Sequence, residues 1–166
     1  VREVLLYLAF SWLLLPSASA QVSPDGSTAT DVNSADGQNF DIDGGDRAGG
    51  NLFHSLGNFS VPTGGSANFL NSNDINNIIS RVTGGSITSI DGLIRANGSA
   101  NLFLINPAGV IFGPNASLSI GGSFLSTTAD SLLFSDGTEF STKDFNKPLL
   151  TINAPIGLNI RDNPAP

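Results

Sequence analysis

The chain contains no cysteine, which excludes disulfide frameworks and thiolate metal sites. Positive charge is scarce, with seven Lys and Arg against fourteen Asp and Glu and a net charge of −7. Such a balance is a poor match for phosphate backbones or anionic membrane surfaces, so nucleic-acid binding is set aside. Charge of either sign is thin at 13%. From position 93 to 129 there is no Asp or Glu, and Arg95 is the only charged residue. Histidine occurs once, as His54. Acid–base and glycosidic chemistry need clustered carboxylates, usually with Arg or Lys beside them. No catalytic residue can be named on that basis, and no cofactor or metal is expected. His54 lies between Phe53 and Ser55 with no chemical partner nearby in sequence, and reads as structural. Asp41, Asp43 and Asp46 suggest a calcium loop, but Gly45 falls where a third ligand belongs and no Glu closes a twelve-residue loop. They read as a solvated acidic loop.

Long apolar runs are also absent, apart from one. Residues 5–15 are an eleven-residue apolar stretch after Arg2, followed by Pro16 and by Ala18-Ser19-Ala20 ahead of Gln21. This is the layout of a signal peptide with an A-x-A cleavage site, and it is shorter than the roughly 20 apolar residues that span a bilayer. Cleavage is expected after Ala20, giving a mature chain that starts at Gln21. The reading therefore divides the chain into a signal peptide (1–20), a polar N-terminal cap (21–50), a main domain (51–160) and a short tail (161–166). The cap is rich in Ser, Thr, Asp, Asn and Gly and reads as weakly structured, with strands short at best.

The main domain is organised around residues 100–122. Three short apolar runs, 102–105, 110–112 and 118–120, are separated by Asn106-Pro107-Ala108-Gly109 and Gly113-Pro114-Asn115-Ala116, and Gly121-Gly122 follows the last. The first separator has type I turn preferences; the second has Pro at i+1 and Asn at i+2, where a type II turn needs a positive φ. Pro cannot supply a ladder N–H, and turns of these types splay antiparallel neighbours. The separators are therefore corners at which a strand bends and continues around a coil. Three such sides make a rung of just over twenty residues, the outline of a parallel β-helix. Gly-Gly pairs at 44, 64 and 84 recur every 20 residues, and dividing the mature chain by that interval predicts about seven rungs. Phe59, Val61, Phe69, Leu70, Ile87, Ile90, Leu93, Ile94 and the runs from 102 to 120 are the expected inward side chains. Asn97, Asn101, Asn106 and Asn115 fit either hydrogen-bonded ladders up the stack or ordinary turn positions.

Two stretches pull in other directions. Ile75, Ile78, Ile79 and Val82 have helical spacing, and Asn97-Gly98 is a hairpin signal. Residues 132–134, Phe140 and 149–152 read as further strands, with Asp136-Gly137 turning between them.

Asn106-Pro107-Ala108-Gly109-Val110 resembles the Asn-Pro-Asn-Gly-Ile motif of filamentous haemagglutinin-type exoproteins, in their N-terminal two-partner secretion (TPS) domain. Asn51-Leu52-Phe53-His54-Ser55, Arg81-Val82-Thr83-Gly84-Gly85, Ile90-Asp91-Gly92-Leu93-Ile94 and Phe112-Gly113-Pro114-Asn115-Ala116 are similar to that family as well. The likeness runs from about residue 21 to about 158. Ala108 replaces the motif's second Asn, Val110 replaces its Ile, and the family's Asn-Pro-Asn-Leu motif is missing. The resemblance implies an all-β fold, a right-handed parallel β-helix of the pectin-lyase-like, single-stranded solenoid kind with short extra-helical hairpins, and a β path through residues 78–82. It implies a non-enzymatic secretion-targeting module, recognised in the periplasm by the POTRA domains of an outer-membrane β-barrel transporter. The product would be secreted or displayed on the cell surface of a double-membrane bacterium. Adhesion to host cells or glycans would belong to a passenger region beyond this chain, which is then expected to be a fragment or a minimal member. Asn106, Pro107, Gly109 and Val110 are the candidate secretion motif, as a recognition element or as a corner the coil needs. Ala18, Ala20 and Gln21 are the cleavage residues. Two rivals stand beside this: a surface adhesin or carbohydrate-binding β-helix, and a polysaccharide lyase-like enzyme, which the missing carboxylate cluster disfavours.

Overall fold

The computed structural model describes residues 21–144 and 150–160. Short apolar runs bounded by Gly, Pro and Asn can bury one face only as strands, and the described residues form sixteen strands and no helix. Side one of a coil is built from β5 (Asn51–Phe59), β7 (Asn77–Val82), β10 (Asn101–Ile105) and β13 (Phe124–Thr127), all mutually parallel. Side two is β8 (Thr88–Ile90) and β11 (Val110–Phe112), extended by a bridge from Val61 to Ile90. Side three is β3 (Asn39–Gly44), β6 (Ser66–Phe69), β9 (Leu93–Ala96) and β12 (Ser117–Ser119). The chain visits the sides in constant order, so the domain is a parallel β-helix of about four turns.

Strand alternation sets the interior. Leu52, Leu56, Ile78, Val82, Leu102 and Leu104 point inward from side one and meet Val61 and Ile90 of side two and Phe40, Ile42, Phe69 and Ile94 of side three. The opposite phase of side one, Phe53, Ile79 and Ile105, is also fully buried. Its cover is a separate three-stranded antiparallel sheet, β14 (Ser131–Phe134), β15 (Glu139–Ser141) and β16 (Pro155–Asn159), which contributes Leu132, Phe134 and Phe140. The ring of Phe53 lies 5.1 Å from that of Phe140 and 6.0 Å from that of Phe134. Side three carries no such cover, and its outward residues Asn39, Asp41 and Arg95 are exposed.

The N-terminal segment is more ordered than its composition suggests. β1 (Val22–Pro24) and β4 (Asp46–Ala48) pair antiparallel with β5, and β2 (Thr30–Asn33) pairs antiparallel with β3. Together they close the first edge of the coil. Asp41 and Asp43 stand exposed on β3, and the described residues hold no group of three side chains able to take a metal ion.

Several expectations need correction. Rungs are 22 to 29 residues long by register (Leu102 to Phe124, Val61 to Ile90), not 20, and there are about four rather than seven. The Gly-Gly pairs mark different corners of successive rungs, and residues 131–159 leave the coil to form the covering sheet. Gly84 shows what such a corner requires: its N–H donates to the Gly57 carbonyl at 2.9 Å, and a Cβ there would collide with that same carbonyl. Asn97-Gly98 turns between β9 and β10 rather than opening a hairpin, because both flanking strands pair in parallel with neighbouring rungs. Asn115 does not take a positive φ; its main-chain and side-chain N–H groups are instead drawn to the Asp91 carboxylate one rung away, at 2.9 and 3.1 Å. Residues 150–152 are not a strand, and Leu149 lies outside the described residues, as do Ala18 and Ala20. Leu70, Ile87, Ile111, Phe112 and Leu118 are exposed rather than inward. Phe112 and Leu118 are in register with inward Ile90 and Ile94 but sit on β11 and β12, the final strands of their sheets, where no further rung covers them; Ile111, opposite exposed Ser89, has the outward phase. By contrast β7 runs through residues 77–82 as a strand, and Asp136-Gly137 turns between β14 and β15.

Asparagines do form a ladder, at one corner. Asn77 Nδ2 donates to Asn51 Oδ1 at 2.8 Å and Asn101 Nδ2 to Asn77 Oδ1 at 2.9 Å. The Ser123 N–H caps the column on Asn101 Oδ1, and Asn51 Nδ2 ends it on the carbonyls of Thr151 and Asn153. Each amide both gives and receives, so burial leaves no polar atom without a partner.

Candidate functional site

The segment Asn106-Pro107-Ala108-Gly109 is the corner between β10 and β11. The Gly109 N–H donates to the Asn106 carbonyl at 3.0 Å, closing a four-residue turn, and Pro107 sits at its second position, where φ is already set. Gly109 has φ +125°, which a side chain would strain. Its carbonyl accepts from the Thr88 N–H at 3.0 Å, tying the corner to the rung below. Val110 then starts β11 opposite Thr88, half-buried.

Asn106 is 1% exposed. Its Nδ2 donates to the Ser86 carbonyl at 2.9 Å and to Thr88 Oγ1 at 2.8 Å, and its Oδ1 accepts from the Ala108 N–H at 3.0 Å. Its own main-chain N–H reaches the Thr127 carbonyl at 2.9 Å, in the rung above. One side chain thus closes the turn and joins it to the preceding rung, while its backbone joins it to the next. Ala108, where the resemblance leads one to expect Asn, is exposed and contributes only its N–H. Ala108→Asn is accordingly expected to change stability by less than about 0.5 kcal/mol. A denaturation midpoint that moves by more than that would reveal a side-chain partner for this position.

Beside the corner lies a depression of about 180 Å³, walled by Thr83 and Gly85 after β7, by Pro107 and Ala108, and by Asp130 and Lys143, which flank β14 and β15 of the covering sheet. Lys143 Nζ is 2.8 Å from Asp130 Oδ2. Two of the segments that carry the family resemblance therefore meet here, and the covering sheet joins them.

β7 itself carries a residue to which the sequence reading gave no role of its own. Arg81 is fully buried on the outward phase of side one. Its Nε donates to Ser55 Oγ at 2.7 Å and its Nη2 to Ser27 Oγ at 3.0 Å; Nη1 donates to the Ser141 carbonyl. The guanidinium lies 4.4 Å from the centre of the Phe140 ring. Ser55 Oγ in turn donates to Asp25 Oδ2 at 2.7 Å, as does Thr83 Oγ1. Burial lowers the Arg81 pKa, with Asp25 and Asp144 working against it. For Asp25, burial favours the neutral acid, but hydrogen bonds from Ser55, Ser27 and Thr83 together hold its pKa below the usual carboxylate value. Arg81 thereby joins the N-terminal cap, the coil and the covering sheet. A lone charge in a run of alternating residues reads as solvent-facing. The available signal was its place in Arg81-Val82-Thr83-Gly84-Gly85, on the same strand phase as Ile79.

His54 is buried in the inward row of β5, its Nδ1 3.1 Å from Thr30 Oγ1 and its ring 5.5 Å from that of Phe69. Burial pushes its pKa down to about 4, with Asp43 pulling weakly the other way. The unfolded chain therefore takes up a proton near pH 6.5 that the folded chain refuses until about pH 4. His54 contributes its full stability above pH 6.5 and loses on the order of 3 kcal/mol as pH falls to 4. Chemical denaturation across that window should show the loss, and His54→Gln should flatten it. An unchanged slope in the variant would assign the loss to other groups.

Fold and site together define a class: a β-helical module closed at one edge by antiparallel strands and covered on one side by its own C-terminal sheet, with a corner whose polar groups serve the coil. Comparison with protein families matches residues 20–166 to the TPS secretion domain, and the chain belongs to that family. No curated protein matches it. Membership makes the domain the secretion-targeting module of a two-partner secretion substrate, a class that leaves through the periplasm for the cell surface with an outer-membrane transporter as its partner.

Proposed function

We propose that the chain is recognised in the periplasm by the POTRA domains of its transporter while incompletely folded, and that the Asn106 corner serves secretion by shaping the fold. The observation that carries this reading is the place of Asn106 in the folded domain, where its amide donates to Ser86 and Thr88 and accepts from Ala108, so that the coil itself accounts for an Asn at this corner. Recognition is then assigned to main-chain groups. β7 and β10 are paired on both sides in the folded domain, so their edges are open only while the chain is incompletely folded, and an open strand edge suits strand addition to a partner's sheet. Folding of the β-helix outside the cell would then help draw the chain through. Co-expression with a cognate transporter that carries or lacks its POTRA domains tests this. Export is expected only with them, and purified POTRA domains should capture chain freshly diluted from denaturant but not the folded domain. Undiminished export without POTRA domains would refute the reading.

A further inference from the structure

The β14–β16 sheet shares no hydrogen-bonded ladder with the coil. It is held by three other contacts. Leu132, Phe134 and Phe140 cover the outward row Phe53, Ile79 and Ile105. The Ser141 carbonyl accepts from buried Arg81. Beyond β15, the carbonyls of Thr151 and Asn153 both accept from Asn51 Nδ2 at 2.8 Å, at the foot of the asparagine ladder. The hydrogen-bonded contacts join residues 60 to 102 apart in sequence and the Phe53 ring pairs join residues 81 and 87 apart, whereas rung-to-rung register joins residues 22 to 29 apart. Until they form, side one presents a row of large apolar side chains to water on one face while the other faces the interior.

We propose that the β14–β16 sheet is a folding latch: side one of the coil sets only when this sheet docks, so the earlier rungs wait for the chain as far as Asn159. The local contacts of each rung form at low loop-closure cost, but they leave the outward row bare and Arg81 without its Ser141 acceptor. The long-range closure that supplies both is the entropically costly and therefore slow event. In a chain delivered from its N-terminus, the first rungs emerge early and cannot lock. The module then remains extended enough for passage through a pore until its C-terminal third arrives. The folding order goes beyond the transporter reading and stands without it; only its use in passage rests on that reading.

The absence of native cysteine allows a clean test on the mature chain. A Cβ built at Gly49 lies 3.4 Å from the Ile152 Cβ, next to the roughly 3.5–4.5 Å separation of disulfide-linked Cβ atoms. Gly49→Cys with Ile152→Cys can therefore be oxidised to pin the segment leading into β16 against the coil. Gly49 has φ +57°, so cysteine is strained there in both redox forms, and comparing oxidised with reduced protein cancels that cost. Refolding from denaturant is followed by far-ultraviolet circular dichroism. The oxidised chain is expected to refold at least about tenfold faster than the reduced one, because pinning makes the slow closure local. In the cysteine-free chain, Phe134→Leu and Phe140→Leu are expected to slow refolding in step with their loss of stability. If oxidation and these variants leave refolding unchanged and alter only unfolding, the sheet docks after the coil has set and the latch is refuted.

Discussion

Arg81→Ala is expected to lower the stability of the domain by about 3–5 kcal/mol, the range found when one member of a buried charged network is removed. The cost comes from what is left behind. Ser55, Ser27 and the Ser141 carbonyl lose their donor, Phe140 loses the cation against its ring, and the space of the guanidinium stays open between three layers. Arg81→Lys should recover only part, since one ammonium on a flexible stem cannot reach partners that the planar fork meets on several sides. Both variants should unfold in a single transition at lower denaturant, because the residue joins cap, coil and covering sheet rather than belonging to one of them. Hydrogen exchange adds a second measurement: amides of β14 and β15 should lose protection together with those of β5 and β7. A loss below about 1 kcal/mol, or exchange confined to the covering sheet, would show that Arg81 merely fills space beneath that sheet.

How far the sequence revealed this architecture depends on how local each signal was. Corners at Pro107 and Pro114 were legible because a proline excludes itself from a ladder on its own account, and the structure puts both between strands. The path through residues 78–82 was contested by helical spacing and became a strand because Ile78 and Ile79 face different buried layers, one inside the coil and one beneath the covering sheet. A strand buried on both faces no longer alternates, so periodicity alone could not decide it. The number of rungs was misread for a related reason. Corner loops differ in length, so a regular Gly-Gly interval counted corners and not turns of the coil. Long-range pairs left no trace at all. Nothing near Asn51 announces Thr151 and Asn153, and nothing near Arg81 announces Ser141. The candidate motif fared better: Asn106, Pro107 and Gly109 were found from turn chemistry, although turn chemistry could not show that Asn106 also reaches into the preceding rung.

That added reach fixes the size of the second large effect. Asn106→Ala is expected to cost about 2–4 kcal/mol, more than a lost turn or cap interaction of about 0.5–2 kcal/mol, because three hydrogen bonds of a buried amide vanish and the Ser86 carbonyl loses its side-chain donor. Asn106→Asp is the sharper probe. Its carboxylate keeps an acceptor for the Ala108 N–H but sets a second oxygen against the Ser86 carbonyl, 2.9 Å from where the amide nitrogen had been. A buried carboxylate there must stay unpaired or take up a proton, so the variant should be no more stable than Asn106→Ala. Pro107→Ala removes the preset φ of a half-buried turn position and should cost about 0.5–1 kcal/mol. If the corner acts through the fold, secretion falls in that same order: wild type, then Pro107→Ala, then Asn106→Ala and Asn106→Asp together at the bottom. Denaturation midpoints of the purified domains and the secreted fraction from cells with the transporter should lie on one curve. Direct recognition of Asn106 makes a different forecast, in which a variant keeps its midpoint yet loses capture by POTRA domains. A restoring change elsewhere separates the two. Oxidised Gly49→Cys/Ile152→Cys, added to Asn106→Ala, should return the midpoint towards wild type without returning the amide. Folding of the purified triple variant would then recover if the fold is what matters, whereas POTRA capture of its reduced, freshly diluted form would stay lost if the side chain itself is read.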